Sequence, residues 1–444
     1  MRYKDYKKVD ITWLNEVPSH WEIQRIASVF DIRKEKNDPI KTEEVLSLSA
    51  KYGVTPYSEK KEKGGNKPKS DLTKYNLCYQ GDILVNCMNV VAGAVGISNY
   101  FGAISPVYYP LVTNKYNNKY YMEYLFRNYD FQRGMVGLGK GIMMNESESG
   151  NLTTVRMRIS WDTLKTLEVP VPPKEEQEQI KRFLDWKIKE IDRLIGGYRN
   201  KIQYINLIKS QLIANEYMKS DEKIRLKMLL KNDMEYGLNI SGDISGDFRY
   251  VRITDIDKNG SLKETDQQYV SNFDKKYILN KGDILFARSG ATVGKTYYYK
   301  ETDGNCAYAG YLIRARVNKD LVYSEYIYYF TQSKIYEEWK NSIFIQSTIQ
   351  NINAEKYSNL LIPMFDKDVQ KKVIKNCKLI INLIDKIEKN QAQQINNLKL
   401  LKQSLISDVV TGKIDVRNVV IPEYDKVSDI EDDVILDGNF NEEV

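Results

Sequence analysis

The sequence predicts an α+β fold in which two similar globules, related by internal duplication, are separated by two long helices packed as an antiparallel coiled coil. Three observations lead to this prediction: matched positions recur about two hundred residues apart, each half opens with a mixed part, and each half closes with a long helical pattern. The 444 residues also exceed the size, about 250 to 300 residues, at which one hydrophobic core stops growing. The chain is therefore expected to contain several domains.

The matched positions follow one another in the same order in both halves of the chain. Their spacing drifts only in loop-like regions, which indicates a duplication. At spacings between 193 and 204 residues, the pairs are Glu22 and Glu222, Gly81 and Gly282, Tyr124 and Tyr328, Pro170 and Pro363, Asp192 and Asp385, and Leu212 and Leu405.

The mixed part of each half is rich in tyrosine, glycine and short β-branched runs. Runs such as Asp283–Ala287 and Tyr311–Val317 are typical of strands between turns. Apolar and aromatic residues at helical spacing predict short helices at Lys119–Asn128 and Ser324–Trp339. Each mixed part is expected to fold as an α+β globule.

The long helical patterns cover roughly residues 174–215 and 367–410, or about 60 Å each at 1.5 Å per residue. Their apolar residues recur at spacings of three, four or seven, as in coiled-coil seams. Because neither helix can bury this stripe alone, we expect them to pack on each other, antiparallel if a pseudo-twofold axis relates the halves. The alternative is that each helix packs only on its own globule. The Gly196-Gly197 pair allows a kink in the first helix.

These patterns divide the chain into five parts. Globules are predicted at residues 1–172 and 218–365, and spacer helices at 173–217 and 366–411. Residues 412–444 are predicted to form a disordered acidic tail.

Composition and charge limit the classes of function. With 42% hydrophobic and 28% charged residues, no apolar run of membrane-spanning length and no signal peptide, the chain is expected in the cytoplasm. Residues 421–444 carry a local charge of −8, so the rest of the chain has +14 behind a net charge of +6. Such a surplus favours a polyanionic partner, because contacts to phosphates supply most non-specific nucleic-acid affinity. A solvated basic surface without such a partner is the alternative.

The motifs of common enzymes and metal sites are missing or incomplete. The four cysteines form no CxxC pair, and the sole histidine, His20, cannot supply a His-based triad or a His-rich metal site. The Gly290-Ala-Thr-Val-Gly294-Lys295 segment has three residues between its glycines where a P-loop needs four. The sequence therefore predicts a chain without catalytic activity.

Four segments together resemble the specificity subunit of type I restriction-modification systems, over about residues 1–417. The opening Trp13–Glu22 is similar to the family's N-terminal signature, and Val169–Ile180 resembles the junction between a target-recognition domain and the central helix. Gly282–Lys295 resembles a recognition-domain motif, and Leu405–Asp415 resembles the close of the second helix.

The first copy of the recognition-domain motif departs from this pattern. Val85-Asn86-Cys87 stands where the second copy has Phe286-Ala287-Arg288. A base-contacting role for Asn86 is therefore in doubt.

The resemblance implies a non-catalytic subunit of a complex that is both a type I restriction endonuclease and an adenine-specific DNA methyltransferase. Each globule would be a target-recognition domain that reads one half of a split, asymmetric target in double-stranded DNA. The paired helices would fix the gap and dock two methyltransferase subunits, which restriction and translocase subunits would join. S-adenosylmethionine, ATP and Mg are expected on those partners, with no cofactor in this chain and no membrane partner.

DNA contacts are expected from loop side chains that read base edges in the major groove or hold phosphates. The candidates are Lys67, Lys69, Arg133, Lys140 and Arg156 in the first domain, and Arg249, Arg252, Arg288, Ser289, Lys295, Gln346 and Gln350 in the second.

Two other classes of function stay open at this point. One is a duplicated, non-catalytic protein-interaction scaffold, whose binding should depend little on salt, whereas DNA binding should weaken by orders of magnitude. The other is a fused methyltransferase, for which the sequence shows no cofactor motif.

Overall fold

The computed structural model describes residues 2–60, 67–88, 90, 93–138, 140–141, 144–146, 152–154, 157–257, 260–290, 292–345 and 351–423. The chain forms two compact units. The first unit comprises Met1–Gly197 and Gln394–Val444, and the second comprises Tyr198–Gln393. Each unit thus combines one mixed globule with part of both long helices.

Two four-stranded sheets form the centre of the first unit, in the orders β6-β5-β10-β7 and β4-β11-β8-β9. Neighbouring strands in them are antiparallel except for the parallel pair β5 and β10. The strands are β1 Tyr6–Ile11, β2 Leu14–Pro18, β3 Glu22–Arg25, β4 Phe30–Ile32, β5 Val45–Ser49, β6 Gly53–Pro56, β7 Asn76–Cys78, β8 Ile83–Asn86, β9 Val95–Ile97, β10 Gly102–Ile104, β11 Tyr108–Thr113, β12 Lys140–Gly141, β13 Met144–Glu146, β14 Leu152–Thr154, β15 Met157–Arg158 and β16 Glu168–Val171. The helices of this globule are α1 Ile26–Val29, α2 Lys119–Phe126, α3 Tyr129–Gly134 and α4 Trp161–Leu164.

The second unit has a similar arrangement, with one four-stranded and one three-stranded sheet. Its sheets have the orders β18-β24-β21-β22 and β20-β19-β23, and β17 pairs with β25 as β3 pairs with β16. The strands are β17 Lys223–Arg225, β18 Glu235–Tyr236, β19 Phe248–Val251, β20 Tyr269–Val270, β21 Ile284–Ala287, β22 Thr296–Tyr298, β23 Cys306–Tyr308, β24 Leu312–Ala315 and β25 Leu361–Pro363. The helices of this globule are α6 Ser324–Phe330, α7 Lys334–Ile345 and α8 Ala354–Ser358.

The helix predicted at Ser324–Trp339 is instead two helices, α6 and α7, with a break at residues 331–333. The Thr331 hydroxyl donates to the Tyr328 carbonyl at 2.7 Å, and the Ser333 hydroxyl donates to the Phe330 carbonyl at 2.6 Å. Hydroxyl groups that bond locally compete with the helix, which explains the break.

The long helices are α5 Lys174–Tyr217 and α9 Lys367–Val410, of 44 residues each. They pack on each other in antiparallel orientation, which confirms the predicted coiled coil and removes the alternative of two separately packed helices. In the first unit Lys402 bonds Asp192 at 2.8 Å, and in the second Lys209 bonds Asp385 at 2.8 Å. These two ion pairs are copies of each other at a spacing of 193 residues. Helix α5 is continuous through the two glycines at 196 and 197.

A buried glutamine anchors each globule to the start of a long helix. In the first unit the Gln177 side chain accepts from the Asn118 backbone at 2.8 Å and donates to the Pro172 carbonyl at 2.8 Å. In the second unit Gln370 accepts from the Tyr323 backbone at 3.1 Å and donates to the Phe365 carbonyl at 2.8 Å. Both glutamines are 1% exposed, so the helix and the globule are held rigidly together within each unit.

Part of the predicted acidic tail belongs to the packed body of the first unit. Val416 is fully buried in the core, and the Gln179 amide donates to the carbonyls of Val416 and Val419 at 3.0 and 2.8 Å. The packed part therefore extends past residue 412. Residues 424–444 lie outside the described residues.

Candidate nucleic-acid interface

Three of the predicted DNA contacts of the first unit are exposed. Lys67 and Lys69 are exposed in the segment that precedes β7. Arg133 is exposed on α3, where it donates to the Tyr129 hydroxyl at 2.6 Å. Lys140, predicted in a loop, instead lies in strand β12, with its backbone opposite Arg158 of β15. Arg156 lies outside the described residues.

Two of the predicted arginines in the second unit bind other parts of that unit. Arg252 donates to the Asp255 carboxylate at 2.7 Å and to the Asp266 carbonyl at 2.7 Å. Arg249 donates to the Lys263 carbonyl and lies 3.8 Å from the Glu264 carboxylate. These contacts brace the segment between β19 and β20.

Lys295 also points inward, because its ammonium donates to the Ile256 carbonyl at 3.0 Å. Burial lowers the pKa of Lys295 below its usual value, and nearby Lys263 adds to the effect. Gln346 and Gln350 lie outside the described residues.

Arg288 is the predicted contact with the most distinctive surroundings. It directly follows β21, and its guanidinium lies 5.1 Å from the Tyr236 ring and 6.0 Å from the Tyr311 ring. Both tyrosines are exposed, Tyr311 by 63%, so the arginine is held between two aromatic rings at the surface. Such cation–π contacts orient a guanidinium without neutralising it.

The strand and its neighbours fix the backbone at this position. Phe286 and Ala287 are fully buried, and the Tyr357 hydroxyl donates to the Ala287 carbonyl at 2.7 Å. The Ile352 amide donates to the Arg288 carbonyl at 2.9 Å, and Ser289 forms a backbone bridge with Asn351. Arg288 and Ser289 are therefore presented by a supported edge rather than by a free loop.

The first unit has the same backbone pairing with different side chains. Cys87, at the place of Arg288, is fully buried, and its carbonyl accepts from the Ile159 amide at 3.0 Å. The preceding residue, Arg158, is exposed and lies next to the Cys87 thiol and the Tyr109 hydroxyl. Burial raises the pKa of Cys87, and the Arg158 guanidinium opposes that effect.

Arg158 was missed by the sequence-based prediction, although a signal for it exists. It matches Asn351 at the spacing of 193 residues that relates Pro170 to Pro363. Cys87 matches Arg288 at a different spacing, 201 residues. Only the folded structure shows that the segments related by these two spacings lie next to each other in each unit. In the second unit the arginine follows the central strand β21, whereas in the first unit it ends β15, on the other side of the same backbone pair.

Two general features of the described residues bear on function. No helix in the described ranges has the length and apolarity needed to cross a membrane. Within the same ranges, the His, Cys, Asp and Glu side chains form no cluster of three that could hold a metal ion.

Comparison with known proteins gives consistent results. The family described as the type I restriction modification DNA specificity domain matches residues 18–204 and 242–397. The specificity subunit of the type I restriction enzyme MjaVIII from Methanocaldococcus jannaschii is 22% identical over 427 residues, covering 91% of this chain and 95% of that protein. The EcoBI specificity subunit from Escherichia coli is 21% identical over 304 residues, covering 60% of this chain and 62% of that protein.

A solved structure described as the basis of complex assembly and conformational transition of the type I R-M system contains a similar chain. The TM-score is 0.62 at 13% identity, covering 90% of this chain and 99% of that one. At this identity the likeness concerns the fold. Because the family matches each half of the duplicated chain and spans most of it, the chain belongs to the type I restriction-modification DNA specificity family, whose role is DNA recognition.

Proposed function

We propose that each unit reads one half of a split, asymmetric target in double-stranded DNA, for a complex in which other subunits do the chemistry. The observation that carries this proposal is the duplicated framework, in which the same backbone pair, Cys87 with Ile159 and Arg288 with Ile352, has one arginine beside it in each unit. In this proposal the chain acts in the cytoplasm and has no catalytic activity. S-adenosylmethionine is bound by methyltransferase subunits, and ATP and Mg by restriction and translocase subunits.

Docking of two methyltransferase subunits is supported by two exposed apolar pairs on the long helices. Leu207 and Ile208 on α5 are 54% and 52% exposed, and Leu400 and Leu401 on α9 are 54% and 53% exposed. The pairs match each other at a spacing of 193 residues, and one lies in each unit. Exposed apolar patches mark interaction sites, and two equivalent patches fit two copies of one partner.

The helices also suit a role in setting the gap between the half-sites. Each 44-residue helix is about 66 Å long, and Gln177 and Gln370 fix a globule to each helix start. A seven-residue insertion in both helices would preserve the apolar face and add about 10 Å, on the order of three base pairs. An unchanged gap in such a variant would reject this role.

The test is co-expression of the chain with the methyltransferase of the same restriction-modification locus, followed by mapping of N6-methyladenine in the modified DNA. The expected result is a split motif with a constant gap, and DNA binding by the purified complex that weakens steeply with salt. No stable complex and no methylation, with salt-independent protein binding, would favour the scaffold instead.

A further inference from the structure

Two buried polar atoms of the second unit lack hydrogen-bond partners within the described residues. They are Nε of Arg288, a donor, and Oδ1 of Asn351, an acceptor; neither has a partner in the described part of the chain. Their residues lie on segments joined by the Ser289–Asn351 bridge. Unpaired buried groups are uncommon in folded proteins, so the polar groups of these residues are not fully used within the described part of the chain.

The charge of Arg288 is also not neutralised within the described residues. Four other arginines of the second unit lie within 4.0 Å of a carboxylate, namely Arg249, Arg252, Arg314 and Arg316. Within the described ranges, the printed distances place Arg288 near two tyrosine rings and near no carboxylate. Its charge is therefore available to a partner outside the chain.

The geometry favours a planar partner with two acceptors. Nε of Arg288 is buried, whereas its two Nη atoms are neither buried nor bonded to described residues. Cation–π contacts with the rings of Tyr236 and Tyr311, at 5.1 and 6.0 Å, leave the side chain less freedom to lose on binding. A guanidinium fork held in this way matches O6 and N7 of guanine in the major groove.

The first unit offers the same chemistry from the opposite segment. Arg158 lies beside Cys87 and Tyr109, and Tyr109 is supported by its hydrogen bond to the Ile159 carbonyl at 3.1 Å. The equivalent of Arg158 in the second unit is Asn351, and the equivalent of Cys87 is Arg288. The two arginines have thus exchanged sides of one conserved backbone pair.

From this juxtaposition we propose that Arg288 and Arg158 each read one guanine, Arg288 in the half-site bound by the second unit and Arg158 in the other half-site. The inference rests on the proposed function, because it assigns residues to the two recognition sites of that function. It adds that each half-site contains a guanine whose recognition depends on a single arginine.

The test uses the complex of this chain with its methyltransferase subunits and compares Arg288→Lys with Arg158→Lys. Lysine keeps the charge but lacks the planar fork, so each variant should lose discrimination at one G·C pair, by about tenfold to a hundredfold. The readouts are N6-methyladenine mapping and binding to duplexes substituted at each position of the motif. Arg288→Lys should change one half-site, and Arg158→Lys the other.

Matched controls are Arg225→Lys and Arg25→Lys. These arginines are exposed, occupy equivalent places on β17 and β3, and lie on the strand pairs that close the globules. Both control variants should leave the motif unchanged.

Each outcome separates this inference from the proposed function. If both arginine variants methylate the same motif as the original chain, the inference is wrong. The proposed function still stands in that case, provided that the original chain gives a split motif. The variant Arg288→Gln tests for a phosphate contact. If its complex binds all DNA sequences equally more weakly and with a shallower salt dependence, Arg288 contacts a phosphate, and the inference is again wrong. If a variant loses methylation altogether, duplex binding decides: misfolding removes discrimination at every position of a half-site, and loss of one base contact removes it at one.

Discussion

The two units share a framework but differ at the sites that we assign to DNA. Tyr121 and Tyr326, both fully buried, donate to the carbonyls of Pro170 and Pro363 at 3.0 and 2.7 Å, so this contact was kept after duplication. At the end of the central strand, by contrast, the first unit has a buried cysteine where the second has Arg288. Contacts that hold the backbone are retained, whereas surface chemistry has changed.

The two units also differ in the arginine that pairs with an equivalent buried carboxylate. Asp82 and Asp283 occupy equivalent turns, yet Asp82 bonds Arg33, near the end of β4, and Asp283 bonds Arg316, near the end of β24. The physical requirement is a bidentate partner for a buried carboxylate, and different strands can supply it.

The largest effect is expected when one of the two exposed apolar pairs on the long helices is substituted and the other is left intact. Leu400→Glu with Leu401→Glu should remove one of two methyltransferase subunits, and Leu207→Glu with Ile208→Glu should remove the other, because charge at a docking surface opposes its burial. Native mass spectrometry of the complex measures the stoichiometry. Ile244→Glu, at a residue that is 91% exposed in the segment before β19, is the control. Retention of both subunits in each double variant would contradict the docking role.

A second comparison concerns the two buried aspartates. Asp283→Asn should destabilise the second unit by about 2 to 4 kcal/mol, because Arg316 loses its bidentate partner and the 4%-exposed Arg314 keeps only Glu235 as a carboxylate partner among the described residues. Asp82→Asn should cost the first unit less, since it unpairs only Arg33, which is 27% exposed. Urea unfolding followed by hydrogen exchange in each unit measures both. Equal losses would mean that Arg314 does not depend on Asp283.

The glutamine anchors should differ by a smaller amount. Gln177→Ala removes three side-chain hydrogen bonds, including one to Asn117 at 3.1 Å, whereas Gln370→Ala removes two. Because each leaves buried backbone groups unpaired, losses of about 1 to 3 kcal/mol are expected, with the larger loss for Gln177. The same hydrogen-exchange measurement compares the losses of unfolding free energy in the two variants. A larger loss for Gln370→Ala would mean that the number of hydrogen bonds does not set the size of the effect.

The smallest expected effect concerns the thiols. Burial raises the pKa of Cys78, Cys306 and Cys377 to about 12, so the stability that each contributes is present below its unfolded pKa of roughly 8.5 and is lost as pH rises toward 12. Alkylation of these thiols in the native protein at pH 8 should be far slower than in urea.

The variant Arg158→Gln should raise the pKa of Cys87 further and leave the pKa of Cys306 unchanged. Alkylation rates at higher pH measure both effects. If the native thiols are alkylated as fast as the unfolded ones, the account of their burial is wrong.

Much of the fold could be predicted because it repeats. The shift of 193 residues aligned both helices, and the apolar stripes predicted their pairing, as the copied Lys402–Asp192 and Lys209–Asp385 contacts confirm. The break between α6 and α7 was missed because it depends on the hydrogen bonds of the Thr331 and Ser333 hydroxyls, which periodicity does not show.

The candidate site was less predictable from the sequence. Composition singled out basic residues without showing that Arg249, Arg252 and Lys295 bind within their own unit. Arg158 was overlooked because its neighbour Cys87 is distant in the sequence, and the backbone bond to Ile159 that joins them exists only in the fold. The packing of Val416 likewise depends on a core built from both ends of the chain.

The central claim is that the two units read the two half-sites separately, and a domain exchange tests it most directly. Residues 218–365 can be replaced as a block, because the pairing of β17 with β25 brings their ends together. The donor would be the same block of a family member with a different target, and N6-methyladenine mapping would give the new motif. We predict that one half-site changes while the gap and the other half-site stay the same. A change in both half-sites, or in neither, would contradict the account.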